Sequence, residues 1–183
     1  MKNSLLIALI CIFSLPAIAQ ITFVKGYVLT ETGDTIKGEV KINPKKEQDN
    51  YSKVFFKDAT GTQKNYKPNK LKGYGFENQH FISMDYEGEP KFYKALVRGE
   101  ISFYKMMFEV VNMNATSYDG EYFLTRKDDK KMSGVKEGKF KKQLQDMMSG
   151  ASGYANEYEG DKKVNEESAV KAINNYNNRK GNE

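Results

Sequence analysis

The clearest alternation of apolar and polar positions lies in residues 21–42, ITFVKGYVLTETGDTIKGEVKI. In its second half, Ile36, Val40 and Ile42 share one face, and polar residues occupy most of the other positions. A period of two is typical of a half-buried β-strand. Gly33 lies between the two halves and can supply the positive φ that a tight turn needs. We therefore predict that this segment is the β-hairpin with which the fold begins.

Further segments with strand-like patterns follow, separated by glycine, proline and polar residues. Strands are predicted over residues 51–58, 62–66, 71–76, 80–84, 92–97, 101–111 and 121–126. Polar loops are predicted over residues 47–50, 85–90 and 112–120. Residues 92–97 also fit helical spacing, so a short helix is an alternative there. Pro68 lacks the N–H that a sheet ladder needs, so the fourth strand is expected to end before it or to lie at an edge.

The hydrophobic period changes near the C-terminus. The first predicted helix covers residues 138–148, with an apolar stripe of Phe140, Leu144, Met147 and Met148. The second predicted helix has an apolar stripe of Ala169, Val170, Ile173 and Tyr176. Asn165 is a suitable N-cap for it, and the glutamates that follow suit the positive end of the helix dipole. The final residues are expected to fray.

Short strands followed by two helices are the order of an α+β protein, without the alternation of a parallel α/β sheet. We predict an antiparallel β-meander that forms a curled sheet or a partly open barrel, followed by two C-terminal amphipathic helices. The β-rich region is assigned to residues 20–134 and the helical region to residues 135–183. The helices are expected to pack on one face of the sheet or to close one end of it.

Residues 1–19 have the pattern of a secretory signal peptide. Lys2 provides a positive start, an apolar run follows, and Ala17 and Ala19 are the small residues that signal peptidase reads before Gln20. The alternative is an N-terminal anchor, but the apolar run is shorter than the ~20 residues that a spanning helix needs. Ile10 precedes Cys11, where a lipoprotein signal would have a small residue. We predict cleavage near Ala19–Gln20 and a mature chain without cysteine or a transmembrane segment.

Charge adds one candidate surface. The formal net charge is +5, and basic residues are concentrated in residues 126–142. The strongest candidates for contact with an anionic surface are Lys130, Lys131, Lys139, Lys141 and Lys142. In an exported protein such a stretch can meet anionic lipid, lipopolysaccharide or acidic glycan, whereas nucleic acid is not an expected partner. The alternative is a lysine-rich face that is simply solvated.

Several segments resemble a broad group of uncharacterised exported proteins of Bacteroidetes bacteria. They are GYVLTETGDTIKGEV (26–40), YKPNKLKGYGF (66–76), FYKALVRGEISFYK (92–105), EYFLTRK (121–127) and KFKKQLQDMM (139–148), and their order is more specific than any one of them. The resemblance implies export, an envelope location in the periplasm or at the outer membrane, and the β-then-α order. It transfers no catalytic residue to this chain.

The sequence carries little catalytic chemistry. His80 is the one histidine, and neither a catalytic triad nor a histidine-rich metal site can be assembled around it in a familiar spacing. Asp85, Glu87 and Glu89 alternate along the chain, so their carboxylates can converge on a calcium ion. An acidic, solvated loop is the alternative. No other cofactor is predicted.

Aromatic residues offer a second candidate surface, besides the basic one. The chain has 12 Tyr and 11 Phe but no Trp, a composition that suits strands. The aromatic positions within the predicted strands and the loop at 85–90 are Tyr74, Phe76, Phe81, Tyr86, Phe92, Tyr93, Phe103, Tyr104, Tyr122 and Phe123. Most are expected to fill the core, and an exposed subset is an alternative that would bind sugars or an apolar partner.

The favoured interpretation is an exported envelope protein that acts as a non-enzymatic binding or interaction domain. Its partner would be an envelope protein, a glycan or an anionic lipid. One alternative is a small envelope hydrolase that uses carboxylate and tyrosine side chains. The other is a protein that associates with anionic membrane or lipopolysaccharide through the basic stretch.

Overall fold

The computed structural model describes residues 21–113, 115–129, 132–148 and 153–180, and within them ten strands form one antiparallel sheet. The strands are β1 Thr22–Leu29, β2 Thr35–Ile42, β3 Val54–Asp58, β4 Gln63–Tyr66, β5 Gly73–Phe76, β6 Gln79–Tyr86, β7 Glu89–Val97, β8 Ile101–Asn112, β9 Ala115–Arg126 and β10 Ser133–Gly134. Two α-helices follow, α1 Phe140–Met147 and α2 Glu166–Lys180. Short 3₁₀ helices cover Glu47–Tyr51, Pro68–Lys70 and Tyr154–Glu157. The predicted α+β class is confirmed, and the predicted signal peptide lies outside the described residues.

The strand order is β10-β9-β8-β7-β6-β5-β1-β2-β3-β4, so the sheet is open, with β10 and β4 at its edges. The chain forms two meanders, β1–β4 and β5–β10, because β5 returns to pair with the other side of β1. The sheet therefore consists of two meanders, where the sequence predicted one. The glycines of β5 allow the return: a Cβ at Gly75 would lie 2.7 Å from the Tyr27 ring.

The first hairpin is confirmed, and its turn contains Gly33 as predicted. Val24 pairs with Val40 and Leu29 with Thr35, and Gly33 has φ +99°. The expected buried face holds only in part. Val40 is 1% exposed, whereas Ile36 is 40% exposed, because β3 pairs with β2 only over residues 38–40 and no described strand lies beside Ile36 on that side. The period of two predicts which residues share a face of the strand, but not which of them are buried.

The predicted loop over residues 112–120 was wrong. These residues belong largely to β9, which pairs with β8 from Ile101↔Arg126 to Asn112↔Ala115. Backbone hydrogen bonds across a two-stranded ladder do not require apolar side chains, so a polar segment can continue a hairpin into solvent. The predicted loop over 47–50 is likewise a 3₁₀ helix. The hairpin predicted for residues 92–111 is confirmed as β7 and β8, without the alternative helix.

Three apolar clusters hold the described elements together. The first lies between the helices and strands β7–β9 and includes Phe103, Leu124, Phe140, Leu144 and Ile173. The second lies in the other half of the sheet, on the face covered by the 3₁₀ helix Glu47–Tyr51, and includes Val28, Tyr51, Tyr74, Phe81 and Phe92. The third lies on the opposite face of the sheet and includes Tyr93, Tyr104, Met106 and Phe123. The aromatic residues thus serve mainly as core, as the favoured interpretation had it.

The second helix begins where the sequence predicted. The Asn165 side-chain oxygen accepts a hydrogen bond from the Ser168 N–H at 3.1 Å, which is an N-cap bond. Ala169, Ala172, Ile173 and Tyr176 are buried against the sheet. The first helix begins at Phe140, two residues later than predicted. Both helices thus pack on one face of the sheet, one of the two predicted arrangements, through residues of their apolar stripes.

Candidate functional site

A cleft of about 950 Å³ opens where two hairpins of the sheet separate. Strand β7 pairs with β8 at Val97↔Phe103, Ala95↔Tyr104 and Lys94↔Lys105, and within the described residues the pairing stops there. Beyond that point the β6–β7 hairpin and the β8–β9 hairpin diverge. The cleft between them is lined by Gln48, Asp49, Tyr51, Ser52, Lys67, Pro68, Glu87, Glu89, Pro90, Lys91, Met106, Met107, Phe108, Glu109, Tyr118 and Glu121.

Proline at position 90 removes a hydrogen-bond donor from the side of β7 that faces β8. The β6–β7 turn has two residues, Glu87 and Gly88, both with positive φ, and the flanking pair is Tyr86↔Glu89. In a hairpin of this length the flanking pair exchanges hydrogen bonds, and the next residue directs its polar groups to the other side. That residue is Pro90, which has no N–H to donate towards β8.

The same alternation identifies the polar groups on the opposite wall of the cleft. Asn112 and Ala115 flank the two-residue connection of the β8–β9 hairpin and form its bonded pair. From Asn112 back along β8, every second residue bonds to β9, so the bonded residues are the even-numbered ones. The N–H and C=O groups of Met107, Glu109 and Val111 therefore point away from β9, and those of Met107 and Glu109 face the cleft. Strand β8 presents a bare edge over this stretch of the described chain.

A fixed 3₁₀ helix forms one side of the cleft. Residues Glu47–Tyr51 contact both β7 and β8. The Glu47 carboxylate accepts a bond from the Lys94 ammonium at 3.0 Å, at the last paired position of β7. Tyr51 is buried and packs edge-on against Phe81, with ring centroids 5.6 Å apart. Burial raises the pKa of the Tyr51 hydroxyl, and the neighbouring Glu47 and Glu166 charges raise it further.

The cleft is acidic although the chain as a whole is basic. Its lining includes five carboxylates against two lysines, in a protein of net charge +5. The carboxylates are Asp49, Glu87, Glu89, Glu109 and Glu121. The Lys91 ammonium donates to Glu89 at 2.8 Å, and this hydrogen bond together with the Lys91 charge lowers the pKa of the Glu89 carboxyl. The other lysine of the lining, Lys67, lies near the second 3₁₀ helix.

Apolar side chains continue the cleft towards the end of the β8–β9 hairpin. Val111 is 74% exposed and Tyr118 is 45% exposed, and the two lie on one face of the hairpin because Val111 pairs with Thr116 and Glu109 with Tyr118. Met113, in the turn, is fully exposed. The site therefore combines an unpaired strand edge, acidic walls and an exposed apolar end.

The three carboxylates of the predicted calcium site have different surroundings. Glu87 and Glu89 line the cleft, whereas the Asp85 carboxylate accepts the Gly88 N–H at 2.9 Å and stabilises the turn. Within the described ranges, no three His, Cys, Asp or Glu side chains are placed so as to hold a metal ion. The region is also not a loop: Asp85 lies in β6 and Glu89 in β7. Calcium binding stays a prediction.

The predicted basic surface is described only in part. Lys139, Lys141 and Lys142 are exposed at the start of α1, while Phe140 and Leu144 point into the core. Lys130 and Lys131 lie outside the described residues. His80 is a strand residue in β6, as predicted, and its Nδ1 is 2.8 Å from the Tyr27 hydroxyl.

The sequence analysis missed the cleft, although signals for it were present. Pro90 follows a two-residue Glu-Gly turn at the position where its missing N–H faces away from β6, which predicts an unpaired edge there. Because residues 85–90 were predicted to form a loop, the place of Pro90 in a strand was not recognised.

The comparisons with known proteins give no match. No protein-family model matches the chain, and neither the curated proteins nor the solved structures contain a match to it. Among the helices that the structure describes, none has the length and apolarity needed to cross a membrane. Function is therefore argued from the geometry of the cleft.

Proposed function

We propose that this chain is an exported, non-enzymatic binding domain of the cell envelope, and that it binds its partner in the cleft between the β6–β7 and β8–β9 hairpins. The observation that carries the proposal is the cleft itself. Its volume of about 950 Å³ lies at the upper end of the ~300–1,000 Å³ that ligand pockets usually occupy. Its walls combine exposed apolar side chains with carboxylates and unpaired backbone groups.

Export is supported by the sequence of residues 1–20 and by the resemblance to exported Bacteroidetes proteins. An envelope location would bring the cleft into contact with envelope proteins, glycans and lipids. Fractionation of the producing cells tests this part of the proposal. We expect the chain in the envelope or the medium, shortened by about 19 residues as the signal-peptide pattern predicts, and recovery of the full-length chain in the cytoplasm would contradict export.

The arrangement of the carboxylates favours binding over hydrolysis. Glu109 pairs with Tyr118 and Glu121 with Met106, so the two glutamates project from opposite faces of the hairpin. Two carboxylates that act on one glycosidic bond must instead face each other. A general acid also needs a raised pKa, whereas Lys91 lowers the pKa of Glu89. The carboxylates are better suited to attracting a cationic group.

Site-specific photocrosslinking in intact cells tests binding in the cleft. Benzoylphenylalanine replaces Tyr118, which lines the cleft and is 45% exposed. The matched control replaces Phe55 of β3, which is 39% exposed and lies outside the cleft. We expect a discrete crosslinked product from position 118, reduced when Glu109→Lys is added, and none of the same size from position 55. Equal products from both positions, or none from position 118, would refute the proposed site.

A further inference from the structure

We infer that the occupant of the cleft is an extended peptide segment rich in lysine or arginine, which adds to the bare edge of β8 as an antiparallel or parallel strand. The inference rests on the proposed function and narrows it to one class of partner.

The first support is the edge itself. The N–H and C=O groups of Met107, Glu109 and Val111 point away from β9, in the cleft at Met107 and Glu109 and beyond its end at Val111, and no described strand pairs with them. Residues 106–112 span about 24 Å at ~3.4 Å per residue, which matches six to eight residues of an added strand. Strand addition is a recurring mode of peptide recognition because main-chain hydrogen bonds give affinity for any extended sequence.

The protein itself satisfies the same edge at its other end. Further back along β8, Phe103 and Lys105 pair with β7, and Ile101 is bonded by the Asn177 side chain of α2. The Asn177 amide accepts from the Ile101 N–H at 2.9 Å and donates to the Ile101 C=O at 2.8 Å, as a paired strand would. Every position before the cleft thus has a partner, and the unpaired stretch coincides with the cavity.

The second support is charge complementarity. The five carboxylates of the lining flank the edge from several directions: Asp49 from the 3₁₀ helix, Glu87 and Glu89 from the β6–β7 hairpin, and Glu109 and Glu121 from the β8–β9 hairpin. Oppositely charged side chains directly across a ladder stabilise the pairing, and like charges destabilise it. A basic residue opposite Glu109 is therefore favoured, and the alternate residues of the added strand, on the other face beside Met106 and Phe108, are expected to be apolar.

The same rule disfavours a second copy of this chain as the occupant. Two β8 edges related by a two-fold axis at Glu109 would place the two Glu109 carboxylates directly opposite each other. An acidic or phosphorylated partner would meet the same repulsion. The edge is therefore protected from self-association by the charges that select a basic segment.

Binding of two capped octapeptides tests the inference. One alternates lysine and valine, and the other alternates glutamate and valine. Fluorescence anisotropy with the purified protein is expected to give a dissociation constant at least tenfold lower for the lysine peptide. Glu109→Lys should raise that constant at least tenfold, and Glu77→Lys, in the β5–β6 turn and outside the cleft lining, should leave it within about twofold. Circular dichroism of each variant verifies that it is folded.

Amide hydrogen exchange provides the readout that is specific for strand addition. The bound lysine peptide should slow exchange at Met107, Glu109 and Val111, while Phe108 and Val110 are already protected by β9. Binding without protection at the three odd-numbered positions would overturn strand addition, as would equal binding of the glutamate peptide. Protection of the same amides in peptide-free protein, rising with concentration, would show a second copy to be the occupant and overturn the inference.

The two proposals fail separately. If crosslinking at position 118 succeeds and neither octapeptide binds, the inference about the partner is wrong and the cleft remains the proposed binding site. If crosslinking at position 118 also fails, both are wrong.

Discussion

Asn177 joins the C-terminal helix to the sheet through two hydrogen bonds, and its replacement by alanine is the sharpest test of the fold. Both bonds, at 2.9 and 2.8 Å, go to the backbone of Ile101, which is fully buried. Alanine would leave one N–H and one C=O without a partner. Each buried, unsatisfied group costs about 1–3 kcal/mol, so we expect the free energy of unfolding to fall by about 2–6 kcal/mol.

Equilibrium urea unfolding followed by tyrosine fluorescence and circular dichroism measures this loss. Asn178→Ala is the matched control, because its exposed side chain is the next residue of the same helix. For a chain of this size, the expected loss lowers the melting temperature by about 4–24 °C. Asn177→Asp should be no better than alanine, since a carboxylate cannot donate to the Ile101 C=O. If the two alanine variants agree within about 0.5 kcal/mol, the proposed strand-like role of the Asn177 side chain is wrong.

Three other predictions concern Glu166, Tyr122 and the lysines at the start of α1. The Glu166 carboxylate accepts from the Lys105 ammonium and the Tyr122 hydroxyl, each at 3.0 Å. Because the Glu166 and Lys105 side chains are partly exposed, Glu166→Gln should destabilise the fold by only about 0.5–1 kcal/mol in urea unfolding, and by less in high salt. Burial, followed by the Glu166 charge, raises the pKa of Tyr122. Since the folded-state pKa lies above the unfolded value, its stabilising contribution is complete below about pH 10 and is lost as the pH rises further. Unfolding measured from pH 8 to 11 should show this loss, and Tyr122→Phe should reduce it; an unchanged pH dependence would contradict the assignment. The anionic-surface alternative predicts that replacing Lys139, Lys141 and Lys142 with glutamine abolishes sedimentation with anionic vesicles at low salt, because each lysine near the surface contributes about 1 kcal/mol of binding free energy. Binding that persists in about 0.5 M salt would contradict an electrostatic association.

The sequence predicted the elements whose burial follows a simple period. The first hairpin, the β7–β8 hairpin and the start of α2 all have apolar positions at the spacing of their backbone, and Gly33 and Asn165 mark the turn and the cap. These signals are local. They are present in a few neighbouring residues and do not depend on where the rest of the chain lies.

The parts that were missed depend on contacts between distant segments. Nothing near Gly75 reveals that β5 pairs with β1 instead of continuing beside β4. The polar outer half of the β8–β9 hairpin is strand because its partner supplies the hydrogen bonds, which composition alone does not show. The cleft follows from both effects, since it needs a long β8 and a β7 that ends its pairing at Lys94.

The return of β5 to β1 has a consequence for the order in which the chain folds. Each of the two meanders is built from neighbours in sequence, so its hairpins can close quickly. The seam between them is different: Gly26 must pair with Phe76, and strands β2–β4 lie in the loop that this pairing closes. Loop closure of that length precedes any gain from the contacts, and such non-local pairing slows folding. Until the seam forms, β1 and β5 each present an open edge, so the time spent before the two halves of the sheet join is the period in which the nascent chain is most exposed to aggregation.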